Sequence, residues 1–194
     1  MSKWWKHGSK IPLEDKNFQT ILTFFMFECP VVIEKTNKNK KTKKHVSARG
    51  ISLEQRGWSG KNLVTLMAAM KRTATPALKY MTVAATDNVA SVVSNEEKAT
   101  SLADPHFEMV VFKENTAIGK TKSVFYMIRN GFAHGSFSVE TADVGRIYCF
   151  ESEKDGDIKG QLRLREETLL AWIKLVDTPV NELKRKTKKA RIAA

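Results

Sequence analysis

An apolar segment between residues 116 and 135 most constrains how this chain can fold. Its larger side chains recur at intervals of three or four residues, which is the period of a helix that buries one face. The repeating positions are Ile118, Thr121, Phe125, Ile128 and Phe132. Gly135 follows, and glycine readily adopts the left-handed backbone that ends a helix. The segment therefore predicts a long, largely buried helix that stops at Gly135.

Similar spacing predicts further helices, so the expected fold class is mainly α. These helices are expected at residues 13–29, 61–70, 76–94 and 166–176. After Gly135 and before residue 166, the apolar side chains recur at every second residue, which is typical of half-buried strands. Residues 137–139, 146–152 and 158–164 therefore predict a small antiparallel hairpin with a third short strand. Residues 109–112 are a short apolar run, which fits either a strand or a buried piece of helix.

A chain of 194 residues has room for one good core, so a single domain is expected. Its first part would be a helical bundle over about 12–135. A β-hairpin or three-stranded sheet with a terminal helix would follow over about 136–178. A basic tail over 179–194 would complete the chain.

The chain is strongly basic, and this favours polyanionic partners. Lys and Arg number 33 against 21 Asp and Glu, which gives a formal net charge of +12. Such a protein can bind nucleic acid by neutralising phosphates and releasing counterions, but a well-solvated basic protein has the same charge balance. The two cysteines have neither the density of a disulfide scaffold nor the spacing of a zinc site. The N-terminus has no apolar core for a signal peptide, so a cytoplasmic protein without membrane association is expected.

All the charged residues of 35–44 are lysines, and the run contains almost no apolar side chain. Mutual repulsion among these charges predicts a mobile loop. The loop is either simply solvated or in contact with RNA. In the second case the candidate substrate-binding residues are Lys40, Lys41, Lys43 and Lys44. The basic residues 184–189 have the same two interpretations.

Three polar residues lie at the end of the apolar helix and are the candidate catalytic residues. They are Arg129, Asn130 and His134. Asn130 and His134 are four positions apart and share a helix face, so the amide can orient the imidazole or contact the same substrate group. Arg129 precedes Asn130, and its length lets the guanidinium reach toward that face. Together these groups can stabilise a pentavalent phosphorus and transfer protons without a metal.

The sequence from Arg129 through Asn130 to His134 and Gly135, with four residues between the arginine and the histidine, resembles the RNase motif of the HEPN superfamily. The stretch from Phe125 to about Trp172 is similar to a plasmid-borne and defence-associated branch of that superfamily. Before residue 115 the resemblance is only architectural.

The resemblance implies an α-helical bundle that forms a homodimer, with two motif helices facing each other across one composite site. It further implies metal-independent endoribonuclease activity with no cofactor, serving as a toxin or in defence against phage. RNA would be the substrate, and an antitoxin or regulatory protein would be a further partner. The alternative from another class is a noncatalytic RNA-binding or assembly module.

Other interpretations of the polar residues remain open or are excluded. Arg129 and His134 could merely cap a helix and bridge a surface. Tyr126 could help to position substrate, and Glu28 could supply an auxiliary acid or simply form a salt bridge. Residues 115–121 resemble a phosphate-binding loop, but Glu114 replaces its first glycine and repels phosphate, which argues against an NTPase. The remaining histidines lack partners at metal-ligand spacing.

Overall fold

A computed structural model describes residues 10–37, 40–74, 78–101 and 106–185, and shows a mixed α/β fold. Its main sheet has five strands, and a separate two-stranded hairpin lies near the N-terminus. The expectation of a mainly α protein with a helical bundle over residues 12–135 is therefore wrong. Strands from both sides of residue 135 join in one sheet, so helices and strands are not divided between two halves of the chain.

The seven described strands are β1 Val32–Asn37, β2 Lys40–His45, β3 Lys79–Val83, β4 Met109–Lys113, β5 Phe137–Ala142, β6 Gly145–Lys154 and β7 Asp157–Arg165. The main sheet has the order β3-β4-β7-β6-β5. Strands β3 and β4 are parallel, and the other neighbours are antiparallel. Both turns of the β5-β6-β7 meander are short, and Lys154 pairs with Asp157 across Asp155 and Gly156. The predicted hairpin and third strand are confirmed as part of this larger sheet.

The helices are α1 Lys16–Leu22, a π-helical continuation over Thr23–Phe27, α2 Lys61–Thr73, α3 Val89–Ser101, α4 Gly119–Ala133 and α5 Glu166–Asp177. Residues 180–185 are also helical. Asp15 caps α1 because its Oδ1 accepts the backbone N–H groups of Asn17 and Phe18. The predicted first, second and last helices and the motif helix thus exist, with shifted ends.

The predicted helix at 76–94 is wrong, because the segment is divided between β3 and α3. Asp87 accepts the N–H of Ala84 at 2.8 Å and closes a turn, and Asn88 accepts the N–H of Ser91 at 3.0 Å at the start of α3. Short polar side chains that bond to nearby backbone favour turns and helix N-termini over helix interiors. The ambiguous run at 109–112 is strand β4, which is buried between β3 and β7.

Residues 35–37 and 40–44, predicted to be a mobile loop, instead belong to the strands of the antiparallel hairpin β1-β2, and residues 38 and 39 lie outside the described residues. Val32 pairs with His45 and Asn37 with Lys40. The pairing places Glu34 opposite Lys43, and opposite charges on facing strands attract, which offsets part of the repulsion within the run. The run's composition therefore did not determine its conformation.

The main core lies between one face of the sheet and the helices α1, α2, α4 and α5. Four aromatic rings of α4 and the sheet form a connected cluster around Phe150, whose ring centroid lies 5.0–6.5 Å from those of Phe132, Phe137 and Tyr148. Gly131 brings α4 against the sheet, since a Cβ there would lie 2.9 Å from the ring of Phe150. A smaller apolar cluster packs α3 on the opposite face of β3 and β4. Within the parts of the chain that the structure describes, none of the helices is both long enough and apolar enough to cross a bilayer.

Candidate functional site

Helix α4 buries one side and leaves a polar strip partly open. Val124, Phe125 and Ile128 are fully buried against the core. Tyr126, Arg129 and Asn130 are half-buried, and His134 is exposed just after the last helical residue. The predicted catalytic residues therefore lie on a rigid element whose opposite face is fixed by core packing.

Arg129 and Asn130 are in direct contact. The Nη1 of Arg129 donates to the Oδ1 of Asn130 at 3.3 Å, whereas the buried Nε has no hydrogen-bond partner. Among the described residues, no carboxylate forms an ion pair with this guanidinium. A partly desolvated cation without a counterion carries an unfavourable free energy, which a bound anion would offset. The position is thus suited to a phosphate.

His134 occupies the C-terminal cap of α4. Its backbone N–H donates to the carbonyl of Asn130 at 2.9 Å, and Ser136 donates to the carbonyl of Gly131 at 2.8 Å. Gly135 has a φ of +64°, a left-handed backbone that glycine adopts without the steric cost of a Cβ. The chain turn fixes the position of the His134 backbone while the imidazole stays in solvent.

Positions 126, 130 and 134 share one helix face because each is four residues from the next. Tyr126, Asn130 and His134 therefore form a strip, which we call the α4 strip. Arg129 and His134 differ by five positions, so their side chains leave the helix axis about 140° apart. Asn130 contacts the guanidinium of Arg129 and shares a helix face with His134, so within one copy it lies between the two.

The chain segment before β1 packs beside Arg129. The thiol of Cys29 donates to the carbonyl of Phe125 at 3.7 Å, one helical turn before Arg129. Burial raises the pKa of Cys29 to about 12, and the positive charge of Arg129 opposes that rise. The rings of Phe25 and Phe125 stack at 6.0 Å. The end of the π-helix is thus fixed against the same part of α4 that carries the motif.

Glu28 caps the end of the π-helix and faces a groove that the motif residues do not line. It lines a shallow groove between the first helix and α5, together with Lys16, Gln19 and Asp177. Arg129, Asn130 and His134 are absent from the lining of that groove. The interpretation of Glu28 as an auxiliary acid therefore has no support in the geometry.

Two of the four candidate lysines can be placed. Lys43 and Lys44 are exposed on β2. The backbones of Lys40 and Lys41 belong to the same strand, but their side chains lie outside the described residues, as do residues 186–189 of the basic segment 184–189. The hairpin therefore presents at least two lysines to solvent.

The sequence did not indicate a polar cluster on the sheet face opposite α4. The Nη1 of Arg163 lies 3.0 Å from Glu140, and the guanidinium stands 5.1 Å above the ring of Phe107. The Nε2 of His106, one of the histidines without partners at metal-ligand spacing, lies 2.6 Å from Asp143. These residues are far apart in the chain and meet only through the strand register, so spacing alone could not have revealed them.

No group of three or more His, Cys, Asp and Glu side chains could hold a metal ion in the described ranges. Comparisons with protein-family models, with curated proteins and with solved structures found no match to this chain. The unpaired guanidinium, the exposed imidazole and the basic charge are thus the features from which a function can be argued.

Proposed function

We propose that this protein is a metal-independent endoribonuclease whose site is built on Arg129, Asn130 and His134. The observation that carries the proposal is the half-buried guanidinium of Arg129, which contacts Asn130 and has no carboxylate partner among the described residues. A phosphodiester supplies the missing negative charge. The net charge of +12 favours a polyanionic substrate over a small neutral one.

Each residue has a distinct role in cleavage through the ribose 2′-hydroxyl. His134, exposed at the end of α4, takes the proton from the 2′-hydroxyl or delivers one to the leaving 5′-oxygen. Arg129 binds the scissile phosphate and stabilises its added negative charge in the transition state. Asn130 orients the guanidinium, or contacts the phosphate from the face it shares with His134. The products then carry a 2′,3′-cyclic phosphate and a 5′-hydroxyl.

A homodimer would solve a geometric difficulty of the single copy. Arg129 and His134 leave α4 about 140° apart, so one copy does not bring both to the same side of the helix. A twofold axis beside the α4 strip would let the arginine of one copy act with the histidine of its partner. Two histidines would then be available, one for each proton transfer. The helical bundle implied by the HEPN resemblance is not part of this proposal, which depends on the motif and its local geometry.

The deciding experiment incubates purified protein with end-labelled RNA in excess EDTA and maps the product ends. We expect cleavage to continue in EDTA and to yield 2′,3′-cyclic phosphates. His134→Ala and Arg129→Ala should each reduce the rate by at least about 100-fold. Arg72→Ala removes one exposed positive charge from α2 and serves as the matched control. Loss of cleavage in EDTA, or full activity of both motif variants, would disprove the mechanism.

A noncatalytic RNA-binding module is the second candidate, and the exposed lysines of β2 favour it. In that case RNA affinity would depend strongly on salt, His134→Ala would leave it unchanged, and no RNA would be cleaved. Turnover thus separates the two candidates. A toxin role adds a neutralising partner, and expression that kills cells unless a neighbouring gene product is present would support it.

A further inference from the structure

Phe27 is an aromatic residue whose exposure the fold does not explain. It ends the π-helix, and its side chain is 48% exposed, whereas its neighbours Phe24 and Phe25 are buried. The N–H of Glu28 donates to the carbonyls of both Thr23 and Phe24. The π-helical turn adds a residue to the helical cycle, and such turns are frequent at functional sites. The widened turn ends with Phe27 in solvent.

The surroundings of Phe27 are basic and structurally fixed. The N–H of Arg49 donates to the carbonyl of Phe27 at 3.0 Å, and the hydroxyl of Ser47 donates to the carbonyl of Met26 at 2.7 Å. These bonds attach the chain leaving β2 to the end of the π-helix. Arg49 is exposed, and no described carboxylate forms an ion pair with it. Lys43 and Lys44, near the end of β2, precede Arg49 by six and five residues and are also exposed.

The same segment connects Phe27 to the candidate catalytic residues. Two residues after Phe27, the thiol of Cys29 bonds to the carbonyl of Phe125, and Arg129 is the next turn of α4. Gly50 lies against Cys29 from the other side, since a Cβ there would be 2.4 Å from the Cys29 carbonyl oxygen. The segment that carries the exposed aromatic ring is thus fixed on one side to the foot of a basic hairpin and on the other to the helix that carries the unpaired arginine.

We propose that Phe27 is a stacking platform for an unpaired nucleobase of the RNA substrate, with Arg49 and Lys44 contacting the flanking phosphates. This inference rests on the proposed function and adds a preference for single-stranded RNA. Aromatic stacking combined with basic side chains is how proteins hold unpaired strands, because every base has a π-face. A duplex keeps its bases stacked on each other and cannot use the ring.

The test measures binding of a fluorescein-labelled single-stranded 12-nucleotide RNA and of the corresponding duplex by anisotropy, in the non-cleaving His134→Ala background. Phe27→Ala should weaken single-strand binding by at least about fivefold, because it removes the ring on which one base stacks. Phe27→Trp should preserve the affinity. Phe27→Leu keeps an apolar side chain but removes the ring, so it should lose affinity as Phe27→Ala does. Duplex binding should change little.

Leu13→Ala is the matched control, because Leu13 is 65% exposed and lies before α1, at the opposite end of that helix from Phe27. Single-strand affinity unchanged in Phe27→Ala, equal losses for single strand and duplex, or full affinity in Phe27→Leu would overturn the inference. So would conversion of a dimer to a monomer by Phe27→Ala in sedimentation, which would make the surface an interface between copies. If the parent cleaves RNA through His134 while Phe27→Ala has no effect, only this inference fails. If the parent neither binds nor cleaves RNA, the proposed function fails as well.

Discussion

The guanidinium of Arg129 donates to the side-chain oxygen of Asn130 at 3.3 Å, so the only described side chain bonded to this cation is neutral. An amide holds the guanidinium in place without cancelling its charge. The arrangement leaves the charge available to an external anion. The side chain at position 130 therefore decides whether Arg129 can bind that anion.

Asn130→Asp should therefore damage the site more than Asn130→Ala. The new carboxylate would give Arg129 a permanent counterion that competes with phosphate. We expect RNA cleavage to fall at least about tenfold further than in Asn130→Ala. Thermal stability should not fall by more than in the alanine variant, since the charge pair is favourable. Cleavage rates and melting temperatures of both variants measure this, and an active Asn130→Asp protein would contradict it.

The two exposed lysines of β2 should contribute unequally to RNA affinity. Lys43 faces Glu34 across the hairpin, whereas Lys44 faces Ile33. Because a nearby carboxylate offsets part of the Lys43 charge, Lys44→Ala should weaken binding more than Lys43→Ala. Lys44→Ala should also lower the slope of log affinity against log salt by about 0.7 for single-stranded RNA. Lys174→Ala, an exposed lysine on α5, is the control, and equal effects of all three changes would refute the prediction.

Asp15 should make the protein sensitive to acid. A hydrogen bond from Arg146, together with the N–H of Phe18, lowers the pKa of Asp15 well below its usual range. A lowered pKa in the folded state stabilises the protein above the unfolded pKa, and this contribution is lost as the pH falls toward the folded value. Below about pH 4, the free energy of unfolding of Asp15→Asn should thus fall less steeply than that of the parent.

Urea titrations between pH 2 and pH 7 test this prediction. Asparagine keeps the helix cap, so Asp15→Asn isolates the charge interaction with Arg146 from the loss of the cap. Asp15→Ala loses both and should be less stable at neutral pH as well. If the free energy of unfolding changes with pH in the same way for the parent and for Asp15→Asn, the pair of Asp15 and Arg146 contributes nothing to the acid sensitivity.

Both cysteines should be unreactive in the folded protein. Cys29 and Cys149 are buried, and burial raises their pKa values to about 12 and about 11. Since the thiolate is the nucleophile, a disulfide reagent at pH 8 should label neither thiol until the protein unfolds. Addition of urea should release two equivalents per chain, because no cysteine is bonded to another. Rapid labelling without denaturant would contradict the packing around Arg129.

Gly50→Ala should destabilise the foot of the hairpin. The added Cβ would lie 2.4 Å from the carbonyl oxygen of Cys29, a backbone atom that cannot rotate away. We expect a loss of about 1–3 kcal/mol in the free energy of unfolding. By contrast, a glycine-to-alanine change at an unstrained position is often stabilising. Ala48→Ser, at an exposed position two residues earlier, should change little. Chemical denaturation of the two variants provides the comparison.

Local pattern predicted the helices around Phe18, Leu66, Phe125 and Trp172, because each buries one face at the helical period. It failed where short polar residues interrupt an apolar stretch. Ala84 to Asn88 looked compatible with a helix that begins at 76, yet Asp87 and Asn88 bond to the backbone and separate a strand from a helix. The pairing of β4 with β7, 50 residues away, supplied the partner that made 109–113 a strand, and no local spacing contains that information.

The polar strip was predictable for a different reason. Arg129, Asn130 and His134 follow the apolar run that begins at Val124, and this change of character is visible in the sequence. The lack of an acidic partner for Arg129 could not be predicted from sequence, since it depends on which residues fold around α4. The exposure of Phe27 was equally hidden, because it lies in a continuous apolar run and becomes solvent-accessible only through the π-helical turn.

The strand order also affects how the protein can be synthesised. Strand β4 is buried and needs β7 as its neighbour, but β7 is the last of the described strands to leave the ribosome. In the interval after β4 has emerged and before β7 has emerged, β4 keeps one edge open to pairing with other chains. Chaperone capture of nascent chains should therefore be strongest in this interval and should end once β7 has emerged.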